Sequence, residues 1–251
     1  FEGWQTQPHR RTVQDVLEVA LATIAGESVK LVCAGRTDTG VHATAQVAHF
    51  DTSADRPLEA WVRGVNSHAP ASVGVQWAVV VDDDFHARFS ATSRRYRYVL
   101  LNRRVRPGVL DGRVGWAHGL LNVAAMNEAA QCLLGVHDFP SFRAAQCQAK
   151  SPVRHMHSVS VKRFGEVIVF DFHANAFLHH MIRNLVGSLV YVGKGRYPVT
   201  WMAELLAARQ RSLAAPTFAP DGLYLCGVEY PERWPLPDGG RIIAPPQLLV
   251  T

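Results

Sequence analysis

The chain has 251 residues, 48% of them apolar and 19% charged, with a formal charge of +5 and a pI of about 9.2. That length and composition allow one large domain, or two intimate halves, around a substantial core. No run is long and apolar enough to span a membrane and no signal peptide is visible, while the positive balance admits a polyanion partner without requiring one.

Thr12 opens the first predicted helix, with Val13, Val16, Leu17, Ala20, Leu21 and Ile24 at helical spacing and Gly26 as its stop. Strands are expected around residues 30–34 and 46–50, separated by a glycine-bounded turn. A helix starting near Pro57 carries Leu58, Trp61, Val62 and Val65 on one side. Val73, Val75, Trp77, Val79 and Val81 then alternate as a half-buried strand. A further strand is expected over 96–101. Asn122 can cap a helix carrying Met126, Leu133 and Leu134 that stops at Gly135. Strands near 157–163 and 167–173 lead to the strongest helical stripe, Leu178, Met181, Ile182, Leu185, Val186 and Leu189, which reads as core. A short helix after Thr200 and a strand over 223–230 follow. Two successive strand-helix-strand-strand units predict an α+β protein with a predominantly antiparallel sheet and helices packed on one face. The natural division is 1–92, 93–230 and an irregular Pro/Gly-rich tail, 231–251.

The most informative stretch is Gly35-Arg36-Thr37-Asp38-Thr39-Gly40-Val41-His42-Ala43. It sits between the first two predicted strands, so Asp38 is presented on a turn, where acidic groups commonly do chemistry. Taken as a tripeptide, Asp38-Thr39-Gly40 most often stabilises its own turn. An aspartic protease would need a second such loop, and the sequence has no second Asp-Thr-Gly or Asp-Ser-Gly. All nine residues together resemble the signature of the tRNA pseudouridine synthase A family. Phe85-His86-Ala87-Arg88-Phe89-Ser90-Ala91 running into Arg94-Arg95-Tyr96-Arg97-Tyr98 resembles the second motif of that family. Asn175-Ala176-Phe177-Leu178-His179-His180-Met181-Ile182-Arg183-Asn184 resembles its third, and Gly222-Leu223-Tyr224-Leu225 its last. Asn66, Gly135, Asp138-Phe139 and Ser141-Phe142 fall in the same order. Phe1-Glu2-Gly3-Trp4-Gln5 resembles the end of the first motif, which implies a family strand ahead of Phe1.

The resemblance implies two halves sharing one continuous sheet with an active cleft between them. It implies isomerisation of uridine to pseudouridine at nucleotides 38, 39 and 40 of the tRNA anticodon stem-loop, by a cytoplasmic homodimer that needs no cofactor. Asp38 would be the essential carboxylate, able to stabilise or attack C1′ or to remove a sugar proton. Tyr96 would stack on the extracted uracil, and Arg183 would pair with Asp38. Arg36 would fill the space left by the flipped nucleotide, and Leu223 or Leu225 would form an apolar floor. The alternative is a catalytically inactive RNA-binding protein of the same fold.

Arg88, Arg94, Arg95, Arg97, Arg103, Arg104 and Arg106 are interleaved with Phe89, Tyr96 and Tyr98, a composition suited to phosphate contact and base stacking. Cys33, Cys132, Cys147 and Cys226 show no metal spacing and read as thiols of a reducing compartment. His179-His180 on a helix would point about 100° apart, which disfavours a shared metal ion. Gly187 to Gly195 lacks the spacing and the Ser/Thr of a phosphate loop, so no nucleotide cofactor is expected.

Overall fold

The fold is described from a computed structural model covering residues 1–234 and 236–237. The expected irregular tail therefore lies mostly outside the described residues. Its first part docks: Trp234 is buried and meets Phe85 edge-on at 5.1 Å.

α1 (Val13–Ala25) begins where the sequence places it. Thr12 accepts from the Asp15 amide while Asp15 accepts from the Thr12 amide, a capping box, and Gly26 closes the helix at φ 74°. β1 (Val32–Cys33) pairs antiparallel with β3 (Ala48–His49), and β2 (His42–Ala43) lies between them in the chain. Residues 58–68 are helical, with a π-turn at Ala60–Gly64 leading into α2 (Val65–His68). Trp61 and Val65 from this segment pack with Leu21 and Leu31 as a core of the first half.

The expected strand over 73–81 is absent. The alternation is visible in its burial, yet no neighbouring strand completes a ladder. A cavity of about 2090 Å³ opens beside it, lined also by Val47, Phe50 and Val228. In place of a strand, the Asn66 amide donates to the Val75 carbonyl and accepts from its N–H, at 2.8 and 2.7 Å.

The second half is built on β4 (Ser93–Asn102), β5 (Gly115–Ala117), α3 (Val123–Ala130), β6 (Gly135–Asp138), β7 (Val153–Phe164), β8 (Val167–Ala174), α4 (Met181–Gly193), α5 (Trp201–Ala208) and β9 (Leu223–Glu229). The sheet order is β2-β9-β4-β8-β7-β6, with β5 alongside β4. All pairs are antiparallel except β2–β9 and β4–β5. The first half thus contributes only β2 to this ladder.

Helices α3, α4 and α5 cover one face. Tyr98, Leu100, Ile168, Phe170 and Phe172 from the sheet meet Met126, Met181, Leu185, Leu189 and Met202 from the helices. Every residue of the predicted α4 stripe is buried, including Leu178 just ahead of the helix. Gly115 and Gly222 make room for the Tyr98 ring, whose hydroxyl donates to the Ala219 carbonyl at 2.8 Å. A side chain at either glycine would collide with that ring.

His49, His157, His173 and His180 are all pushed below the ordinary histidine range, with burial the leading cause. The unfolded chain therefore binds protons that the folded chain resists. As pH falls from about 6.5, the ordinary value, toward the depressed folded values, stability is lost. Urea midpoints measured at pH 7.5, 6.5 and 5.5 are expected to fall in that order, and a flat series would contradict this electrostatic picture.

Candidate active site

The loop carrying Asp38 is braced on three sides. Gly3 runs so close behind it that a Cβ there would come within 2.9 Å of the Thr37 carbonyl, and the Trp4 amide donates to that same oxygen at 2.9 Å. Gln46 bridges both backbone groups of Gly35. Gly40, at φ 79°, lies against Pro220, and the Val41 amide closes the turn on the Asp38 carbonyl at 3.0 Å. A carboxylate in such a turn has little backbone freedom.

Across the gap, the segment after β8 turns into α4. His180 is the N-cap, held left-handed at φ 60°, ψ 3°. His179 Nε2 lies 3.1 Å from Asp38 Oδ1, and His180 Nε2 lies 3.2 Å from Oδ2. Arg183 Nη1 donates to the same Oδ2 at 3.2 Å, and its Nε donates to the Phe218 carbonyl at 2.8 Å. The guanidinium is therefore shared between the carboxylate and a carbonyl; it is not the two-bond carboxylate fork that an Arg–Asp pair can form.

Behind Arg183, buried Asn184 accepts from Arg211 and Thr217 and donates to the Phe142 carbonyl, which fixes the 211–218 segment. Gly187 faces the same segment: a Cβ there would sit 2.5 Å from the Pro216 carbonyl. Gly187→Ala is expected to push Pro216–Phe218 off α4 at a cost of about 1–3 kcal/mol and to slow turnover by loosening the Phe218 contact. Chemical denaturation and a rate assay on the same variant check this, and wild-type values in both would refute it.

Tyr96 lies beneath the Asp38 loop, with Ala34 and Leu225 around it and Phe177 edge-on at 5.1 Å. A Cβ on Gly35 would be 3.3 Å from its hydroxyl, so the loop can rest on the ring only because residue 35 has no side chain. Burial pushes the phenol far above its ordinary range and keeps it protonated.

The other expected contacts divide. Arg36 and Arg88 are exposed, with Arg88 over the Phe89 ring at 5.7 Å. Arg94 is a correction: it is buried, and its guanidinium donates to the carbonyls of Ala34, Arg88, Ala91 and Asn175. A cation spent on four carbonyls cannot also bind phosphate. Arg95 and Arg97 are paired with Glu229 and Asp171 at 2.6 and 2.7 Å, so they are not the free cations expected from the basic stretch. Leu223 is a second correction. It sits opposite Tyr98 in the main core, while Leu225, opposite Tyr96, takes the floor position.

The two histidines do meet the same carboxylate, contrary to the expectation from helical spacing, because both precede the helix. A left-handed turn brings their rings to 4.0 Å. Asp38, His179 and His180 are the one cluster among the described residues with donors close enough, within 4.8 Å, to share an ion. The Arg183 cation on the same carboxylate oxygen disfavours that use, since a guanidinium there repels a divalent ion. The arrangement suits a clamped carboxylate.

A partly exposed carboxylate, held by a half-buried arginine above a half-buried tyrosine, defines an acid-centred site with an aromatic floor. A family model described as tRNA pseudouridine synthase matches residues 1–90 and 129–231. The chain belongs to that family. It is 64% identical over 248 residues to tRNA pseudouridine synthase A of Aromatoleum aromaticum, covering 99% of this chain and 94% of the relative. It is 62% identical to the protein of the same name from Dechloromonas aromatica, over 95% and 91% of the two chains. Against that of Bordetella petrii the identity is 58%, over 98% and 93%.

Proposed function

We propose that the protein isomerises uridine to pseudouridine in the anticodon stem-loop of tRNA, at nucleotides 38, 39 and 40, with Asp38 as its catalytic carboxylate. The observation that carries this reading is the convergence of Asp38, Tyr96 and Arg183, from three separate motifs, in one site. The names of the close relatives point the same way.

In the reaction the N1–C1′ bond of uridine breaks and a C5–C1′ bond forms. The hydrogen on C5 leaves as a proton and N1 gains one, so no net oxidation or hydrolysis occurs. Asp38 starts the sequence by attacking C1′, adding to the base or removing the 2′ proton; each requires an ionised carboxylate aimed at the nucleotide. Tyr96 supplies a stacking face for uracil. Because burial keeps its phenol protonated, it acts as a hydrogen-bonding partner and not as a standing base. Arg36, two residues from Asp38, and Arg88 in the second motif are exposed cations that offer phosphate contacts.

The protein is further proposed to act in the cytoplasm as a homodimer. A folded tRNA exceeds one face of a 27.7 kDa protein, which favours a cleft drawn from two copies. All four cysteines are free, in keeping with a reducing compartment. No described helix is long and apolar enough to cross a membrane. Sedimentation with and without tRNA tests the dimer.

The activity is tested by tritium release from tRNA carrying uridine labelled at carbon 5, followed by nucleoside analysis. Tritium release with pseudouridine formed supports the reading. Free uracil would indicate a hydrolase, and binding without release an inactive RNA-binding protein.

A further inference from the structure

Arg183 accounts for one contact to one oxygen of Asp38, which leaves open how the plane of the carboxylate is fixed. Rotation of a carboxyl group about its last bond has no sharp staggered preference, so the plane is set by its partners. Three groups surround it: His179 hydrogen-bonds Oδ1, Arg183 donates to Oδ2, and His180 Nε2 lies 3.2 Å from that same Oδ2. Two oxygens held from different directions define an orientation that a single arginine cannot.

We propose that His179 and His180 are positioning residues, which together orient the Asp38 carboxylate for the nucleotide. This rests on the isomerase reading of the site. An ionised carboxylate only accepts hydrogen bonds, so His179 presents an Nε2–H to Oδ1, while His180 Nε2 stands 3.2 Å from Oδ2 beside the Arg183 bond. The device that allows two consecutive residues to do this is the left-handed backbone of His180 at the start of α4. On a continuous helix their side chains would diverge by about 100°; here the rings overlap at 4.0 Å and 36°.

The surroundings of His180 favour an uncharged ring. His180 is 27% exposed and is held below the ordinary histidine range, first by burial. The charged and titratable groups facing it are Asp38, which raises its pKa, and His179, Arg183 and Arg211, which lower it. A neutral His180 ring can sit against the carboxylate without taking up its charge.

The test compares His179→Leu and His180→Leu with the corresponding glutamine variants, whose amide N–H can replace the lost donor. Single-turnover pseudouridine formation and tRNA Kd are measured separately. Each leucine variant is expected to lose about ten- to a hundredfold in rate, with Kd nearly unchanged and partial recovery by glutamine. Wild-type rates in the leucine variants, equal loss for leucine and glutamine, or loss confined to Kd would each overturn the proposal.

A second measurement needs no activity. The His180 ring is titrated by NMR in wild type and in Asp38→Asn. Its midpoint is expected to fall further in the variant, because the carboxylate that favours protonation is gone; an unchanged midpoint would show that the contact does not exist. If wild-type protein formed no pseudouridine, the isomerase reading alone would fall, and the titration would still decide the contact.

Discussion

Asp38→Asn is expected to abolish pseudouridine formation while leaving tRNA affinity and fold nearly intact. Asparagine keeps the size of the side chain, and its amide oxygen can still accept from one donor. It removes the negative charge on which His179, His180 and Arg183 converge, the only carboxylate within 4 Å of all three among the described residues. Removing the reacting group of an assembled site typically costs about 10⁴-fold or more in rate. The turn survives because Gly3, Gln46 and Pro220, and not the carboxylate, brace it. Single-turnover conversion on one purified tRNA reads the loss. Residual conversion within about tenfold of wild type would remove Asp38 from the mechanism.

Arg183→Lys is expected to lower the single-turnover rate by about ten- to a hundredfold, and Arg183→Met by more, with little change in tRNA affinity. The reason lies in the split use of the guanidinium. Nη1 holds Asp38 while Nε holds the Phe218 carbonyl, and the Phe218 amide returns a bond to the Arg183 carbonyl at 3.2 Å. A lysine ammonium is a point donor and cannot span both oxygens with one fixed plane. Methionine keeps the buried stem but leaves a carbonyl and a carboxylate without their cation. Arg183 is 14% exposed, so water replaces it poorly. Equal rates in all three proteins would mean that Arg183 serves the fold or the RNA surface and not Asp38.

Much of the architecture is legible locally. Thr12 and Asp15 lie at capping-box spacing, and Gly26 supplies the left-handed stop, so α1 is defined by residues at its own ends. The α4 stripe and the long strands β4, β7 and β8 carry enough apolar periodicity to be read without partners. The 73–81 segment shows the limit of that logic, because alternation describes a half-buried chain and only a neighbour makes it a strand. At the site, Asp38, Tyr96 and Arg183 are legible through contiguous motifs. The histidine pair is not, since helical spacing is the wrong geometry for residues that stand just ahead of a helix. Arg94 and Arg95 look alike in sequence, but adjacent strand residues face opposite ways. One turns inward onto carbonyls and the other outward onto Glu229.

The inward turn of Arg94 bears on how the molecule opens. Its guanidinium joins Ala34 at the root of the Asp38 loop, Arg88 and Ala91 in the segment before β4, and Asn175 at the approach to α4. A buried cation abandoned by any one of these oxygens loses solvation that water cannot restore without entering the core. The three segments are therefore tied into one cooperative unit, and in native-state hydrogen exchange their amides should share a single opening free energy. Fluctuations that admit a nucleotide would then arise outside this knot, leaving the frame that carries Asp38 closed throughout a turnover.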